Sequence, residues 1–506
     1  MERFCRRRRA VSPKYLAALA IVLFVSAALA GYYSYGIQAS GTTATSSTTT
    51  SSTSTGSSCV SAPPANGARL TPTTFGAITE YTLSANRTPA GFAVAPDGSV
   101  WFGEWGLPGV GHLLPNGTLT EYRWPYPDSS AVSLCGQETQ IWGVALWNGT
   151  VWGADNLYSR LVSVNPATGQ TEEVNLTSGI FPYTLAVGAG DLWFTDNIAP
   201  GTIGKLTPSS TVVQYYTLPN SKNALSEYIL FQNDTRAFVL TADPLNFKAA
   251  LYSFNPSSAN PTFTPVGGNQ TLYEPSGIAL ADGGIWATEH SASAMAFLNF
   301  TTDRWTIYPT STVPYVPTVL TYFDGSNGTA VWFNEHYSNR MGVITGGGRY
   351  LTEYSITNPP LFNITTILEN YNMVTMGLAA DGAWFAAATA GIVGFVNGSY
   401  SPPFSIATSS TSLSLAPGGS TQTDIRYTGN LPGANLSLQF EDNEFYNGTA
   451  KLLTFSPGTI TTSAGDSSFT LTVSASSSIV PGTYVAAATV TNGSIYRTVY
   501  FDVVVT

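Results

Sequence analysis

The chain has 506 residues and a formal net charge of −10, and only 10% of its residues are charged, against about 25% in an ordinary globular domain. The length allows two or three domains. The acidic balance argues against a nucleic-acid partner, which needs a basic face, and against adhesion to anionic lipid.

Residues 1–14 form a basic segment, with Arg6 to Arg9 and Lys14, and an apolar run follows from Tyr15 to Ala30. A basic flank plus an apolar run predicts a transmembrane signal anchor or a signal peptide over 15–36. Residues 37–65 read as a stalk: positions 41–58 are almost pure Ser, Thr and Gly, and such a tract cannot bury a core. A stalk is useful when its other end is held. This favours an N-terminus inside, a span through the cell membrane and the remainder outside. Cleavage after Ala30 gives a secreted protein instead. Of the three cysteines, Cys5 is cytoplasmic or removed. Cys59 and Cys135 face an oxidising exterior, where a disulfide and two free thiols are both open.

From residue 66 to 402 the sequence repeats itself. A Trp-x-x-acid segment recurs at Trp101–Glu104, Trp152–Asp155, Trp193–Asp196, Leu240–Asp243 (degenerate), Trp286–Glu289, Trp332–Glu335 and Trp384–Ala387. The spacing of roughly 40–50 residues is that of a four-stranded propeller blade. A second repeat runs out of phase: Thr79–Tyr81, Thr120–Tyr122, Thr171–Glu173, Val213–Tyr215, Phe263–Pro265, Thr306–Tyr308 and Thr352–Tyr354. The offset predicts that a strand near 77–83 completes the blade that begins near 365, closing the ring. The expected fold class is all-β: a seven-bladed β-propeller followed by a sandwich.

Residues 403–506 alternate apolar and polar positions, as in Asn435–Phe440 and Tyr496–Val505, with a hairpin signal at Asn492-Gly493. About seven short strands in ~100 residues is the size of an immunoglobulin-like β-sandwich. Thirteen Asn-x-Ser/Thr sequons are present: Asn86, Asn116, Asn148, Asn175, Asn233, Asn269, Asn299, Asn327, Asn363, Asn397, Asn435, Asn447 and Asn492. Many fall at hairpin turns, so the chain is expected to be a surface glycoprotein. Few charges and many hydroxyls suit an archaeal cell surface in acid, where carboxylates neutralise.

The propeller segment resembles the streptogramin (virginiamycin B) lyase family. Trp-Phe-x-Glu, Gly111-His112-Leu113, Ile203–Pro208 and Thr-Glu-Tyr carry the resemblance. It implies a site built on Glu-Pro-His-Gly, where the His is the general base and nearby carboxylates help hold magnesium. The stretch here reads Glu274-Pro275-Ser276-Gly277. Serine does not take up a proton near neutral pH unless a base stands beside it. The other inner-strand starts align as Pro89–Gly91, Ile141–Gly143, Pro182–Thr184, Pro317–Val319 and Thr375–Gly377, and none carries His.

His112 reads as structural. His290 and His336 follow Trp-x-x-Glu segments in adjacent repeats. With Glu274, Ser276, Glu289 and Glu335 they are candidate ligand-binding residues on one rim, able to hold Mg or Ca if the rim is a metal site. The competing reading is that the repeated acid only satisfies donors within its own blade. The expected function is non-catalytic binding of a small molecule, glycan or cell-envelope protein, with no cofactor required. The alternative is a lyase-like C–O lyase or a lactonase-type metal-dependent propeller enzyme.

Overall fold

The computed structural model describes residues 65–84, 87–105, 108–124, 141–243, 248–268, 272, 275–289, 294–311, 321–326, 330–335, 339–356, 373–429, 435–442, 452–463 and 466–506. Residues 1–64, with the expected anchor segment at 15–36 and most of the expected stalk at 37–65, and all three cysteines lie outside these ranges. The described residues are all-β, with a single short 3-10 turn at Ala388–Ala390. No helix among them is long and apolar enough to cross a membrane.

Among the described residues, seven antiparallel sheets follow one another along the repeat, each with its strands paired in chain order. The first contains Pro89–Val94, Val100–Glu104, Gly109–Leu113 and Thr118–Arg123, with Asn66–Arg69 added outside. The third contains Pro182–Gly188, Asp191–Asp196, Thr202–Leu206 and Val213–Thr217. The fifth begins with Pro275–Ala281 and Gly284–Glu289. The seventh contains Met373–Ala379, Gly382–Ala387 and Ile392–Asn397. It takes its fourth strand, Ile78–Thr82, from the start of the chain, with Ile78 opposite Val396 and Thr82 opposite Ile392. The first strands of successive sheets lie side by side, and that of the seventh lies beside that of the first. This is a propeller whose seam is closed by an early strand, as the phase offset predicts.

Packing within a sheet accounts for the repeat. The Phe of Trp-Phe-x-acid sits opposite a glycine on the next strand: Phe102 on Gly111, Phe194 on Gly204, Phe333 on Gly342 and Phe385 on Gly394. A Cβ on Gly204 would stand 2.0 Å from the Phe194 ring, so only glycine fits beneath it. The Trp points to the other face and meets a tyrosine of the fourth strand. Ring centroids are 5.5 Å apart for Trp101–Tyr122, 6.0 Å for Trp193–Tyr216, 5.0 Å for Trp286–Tyr308 and 6.2 Å for Tyr81–Trp384. The out-of-phase tyrosine is therefore the aromatic lid of the tryptophan. In the third sheet this lid is Tyr216, one residue later than the Val213–Tyr215 alignment. Tyr215 turns the other way, onto Phe194.

The C-terminal residues build two sheets over one core that includes Ile406, Leu413, Ile425, Leu471, Val473, Ala488 and Val503. This module is not a bead on a tether. Its last strand, Ile495–Val505, pairs antiparallel with Tyr350–Ser355, the outer strand of the sixth propeller sheet, with Tyr350 opposite Val499 and Tyr354 opposite Ile495. The Tyr500 hydroxyl also donates to the Pro309 carbonyl at 2.7 Å. One sheet thus runs from the propeller into the module.

Candidate functional site

Every first strand carries a register shift near its start. The shifts fall at Ala90/Phe92, Ile141/Val144, Pro182/Leu185, Ser226/Tyr228, Pro275/Ile278, Thr321/Asp324 and Met373/Thr375. Bulges re-aim side chains and recur beside functional sites. Here they form a rim around the axis where the first strands meet. The position equivalent to Ser276 is Ala90, Trp142, Tyr183, Glu227, Tyr322 and Val374 in the other sheets. Three alignments made from sequence are corrected. In the fourth sheet Phe238, opposite Leu230 as Trp286 is opposite Ala279, takes the tryptophan position read at Leu240. The sixth first strand begins at Thr321, after Pro317–Val319, and in the seventh the equivalent of Pro275 is Met373, two residues before Thr375. In these last two cases the pairing with the last residue of the second strand, Glu335 or Ala387, fixes the position.

The rim has two chemistries. On one side aromatic rings form a row: Trp105 to Trp142 at 4.4 Å and Trp142 to Tyr183 at 5.0 Å between centroids. Trp105 and Trp142 also pack on Ala90, Ala386 and Ala388. Across the ring sequence, at the fifth sheet, the groups are hydroxyls. Gly277 N–H donates to Thr288 Oγ1 at 2.9 Å, and Ser276 Oγ stands 3.3 Å from the same oxygen. Ser276 is buried. Its hydroxyl thus meets that of Thr288.

The repeated acids lie beneath this rim. Glu104, Asp155, Asp196, Glu289 and Glu335 are all buried. Asp155 accepts from Arg160 Nε at 2.8 Å. Glu335 lies 4.0 Å from Arg340 Nη1, whose guanidinium also bonds Ser311 Oγ, approaches Glu353 at 3.6 Å and is covered by the Tyr496 ring at 3.6 Å. Arg87 bonds both oxygens of Glu121, at 2.6 and 2.8 Å, and passes 3.8 Å from Glu104. Burial pushes Glu104 up to about 8, and the Glu121 charge adds to this against the pull of Arg87. Burial also raises Asp196 to about 7, opposed only by a hydrogen bond from Phe181 N–H. Asp155 rises to about 6 despite Arg160. The acids for which partners are described are thus interior groups.

The arginines went unnoticed in the sequence, although a signal was there. Asp155 and Arg160, like Glu335 and Arg340, stand five residues apart, each Arg preceded by a residue with positive φ, Ser159 at 49° and Asn339 at 53°. That turn carries the guanidinium back under the acid of the neighbouring strand.

Of the candidate ligand residues, Glu289 and Glu335 end the second strands of adjacent sheets. Glu274, His290 and His336 lie outside the described residues, as do Cys59 and Cys135. Among the described residues no group of three or more His, Cys, Asp or Glu side chains comes together to hold a metal. Mg2+ and Ca2+ ask for open carboxylates. The described rim offers hydroxyls, rings and the carboxylate of Glu227, while Asp155 and Glu335 lie with arginines.

Comparison with known proteins agrees with this geometry. No protein-family model matches the chain. Virginiamycin B lyase from Nocardia farcinica (strain IFM 10152) is 30% identical over 129 residues, which span 25% of this chain and 41% of that protein. A crystal structure of virginiamycin B lyase from Staphylococcus aureus superposes with a TM-score of 0.50 at 20% identity, covering 63% of this chain and 98% of the lyase. A streptogramin B lyase structure does so at 0.50 and 22%, covering 63% and 97%. The propeller is virginiamycin B lyase-like. At these identities the structural likeness shows the fold.

Proposed function

We propose that residues 66–402 act as a seven-bladed propeller that binds a ligand at its bulged rim without cleaving it. In this reading 403–506 is an immunoglobulin-like sandwich fused to the sixth blade. Residues 15–36 anchor the chain in the cell membrane, and the stalk at 37–65 holds the rest outside. The observation that carries the non-catalytic reading is the Ser276–Thr288 hydroxyl pair at the place where the lyase family keeps its base. The row Trp105–Trp142–Tyr183 supports binding, since aromatic walls with a few polar groups are the usual lining of ligand sites.

Glycosylation of the exposed turns belongs to the same reading. In the sequons at Asn116, Asn233, Asn299, Asn397 and Asn492, the side-chain oxygen accepts the N–H two residues on, at 2.8 to 3.0 Å. These are Asx turns at strand ends, where a glycan projects into solvent.

The test is incubation of the full chain with a streptogramin-type cyclic depsipeptide, followed by mass spectrometry and by titration of Trp fluorescence with candidate glycans and small molecules. Quenching by a ligand without linearised product is the expected result. Linear product that disappears in Ser276→Ala would establish the lyase alternative.

A further inference from the structure

The propeller's outer strands face different surroundings. In the first, sixth and seventh sheets a further strand covers the edge: Asn66–Arg69, Ile495–Val505 and Thr73–Phe75. The fifth sheet's outer strand, Arg304–Pro309, lies against the C-terminal module. The edges that stay uncovered among the described residues are Thr171–Asn175, Val213–Thr217 and Thr264–Val266. An open edge invites pairing with another chain unless charge, proline or shortness blunts it. Thr171–Asn175 carries Glu172 and Glu173. Thr264–Val266 is three residues long with Pro265 at its centre. Val213–Thr217 reads VQYYT, with no charge and no proline.

We infer that two copies of this chain associate by pairing Val213–Thr217 antiparallel with itself about Tyr215. The register follows from the existing ladder. Leu218 N–H bonds to the Gly201 carbonyl. Hydrogen-bonded pairs alternate along an antiparallel ladder, so Tyr216 and Gln214 bond inward to Ile203 and Lys205. Val213, Tyr215 and Thr217 then direct their backbone groups outward. A two-fold axis at Tyr215 sets Tyr215 against its copy and Val213 against Thr217, so every outward donor meets an outward acceptor. A two-fold contact of this kind closes at a dimer. The same operation on Thr171–Asn175 would set Glu173 against Glu173, and on Thr264–Val266 would centre on a proline without a donor.

Two further observations converge here. Val212, just before the strand, is 72% exposed, the highest value among the exposed large hydrophobic residues; the pairing sets it opposite Leu218 of the second copy. The third sheet is also free of sequons: none occurs between Asn175 and Asn233. This last point rests on the glycosylated reading, while the edge argument does not.

The test is the mass of the full chain in mild detergent by sedimentation equilibrium, across a dilution series. A dimer that dissociates on dilution is expected. Thr217→Pro removes an outward N–H while leaving the inward ladder whole, a place where an edge strand tolerates proline; it should give a monomer with an unchanged thermal transition. Thr217→Val, which keeps the N–H, should remain a dimer. Hydrogen exchange on the unaltered chain needs no variant: the Val213, Tyr215 and Thr217 amides should be protected at high concentration and exposed at low. A monomer at all concentrations overturns the inference. So does a folded Thr217→Pro dimer, or an exchange pattern that ignores concentration. A dimer lost when residues 1–64 are removed would assign the edge to the stalk instead, and equally overturns it.

Discussion

The rim at the second and third sheets and the rim at the fifth are built alike and furnished differently. Each first strand bulges at the same point, opposite the same buried acid. At that point stand Trp142 and Tyr183 on one side and Ser276 on the other. The bulge decides where a side chain is presented, and the residue decides what it can do there. A base at Ser276 would make this point chemical. In the proposed reading the hydroxyl beside Thr288 leaves this point structural, and the aromatic row is the binding sector.

Four measurements bear on the difference between the two sectors. The largest effect is expected from pH, through two acids of the first and third sheets, on the aromatic side. Asp196 is raised from 3.8 to about 7 and Glu104 from 4.5 to about 8. The folded chain holds these protons more tightly than the unfolded chain. Their contribution is therefore complete below about pH 4 and is lost as pH rises through 7 and 8. Denaturant titrations at about pH 5 and pH 8 should differ by on the order of several kcal/mol, with the acid side more stable. Asp196→Asn, which can still accept from Phe181 N–H, should flatten the part of this profile between about pH 4 and 7. Stability that increases toward pH 8 would contradict the burial account.

Next in size is Trp142→Ala, which opens the row between Trp105 and Tyr183. A half-buried Trp should cost about 2–3 kcal/mol in chemical denaturation, somewhat less than a fully buried one, and abolish any ligand-induced fluorescence change. Thr288→Val removes the acceptor for Gly277 N–H and should cost about 1–2 kcal/mol by the same measurement. Ser276→Ala should be smallest, about 1 kcal/mol or less, with ligand binding unchanged. If it instead abolished binding, the hydroxyl sector would join the site.

Much of this was legible in the chain. The Trp-x-x-acid spacing gave the sheets, and the phase offset placed Ile78–Thr82 beside Ile392–Asn397, because local repeats report which strand is missing at each end. Three features were not. The bulges are one-residue shifts in pairing, and where the start motif departs from Pro-x-Gly, at Thr321 and Met373, the alignment slid. The arginines beside Asp155 and Glu335 are brought in by a left-handed turn residue, a tertiary effect with only a spacing as its trace. The pairing of Ile495–Val505 with Tyr350–Ser355 joins residues far apart in sequence, and strand alternation says that an edge exists without saying what covers it.

The proposal is that this propeller keeps the lyase scaffold without its base. Its most direct test is the linearisation of a streptogramin-type depsipeptide by the full chain, followed by mass spectrometry with and without added Mg2+. The account predicts no linear product above the uncatalysed rate in either condition, for the unaltered chain and for Ser276→Ala alike. Product formed by the unaltered chain and lost in Ser276→Ala would contradict it.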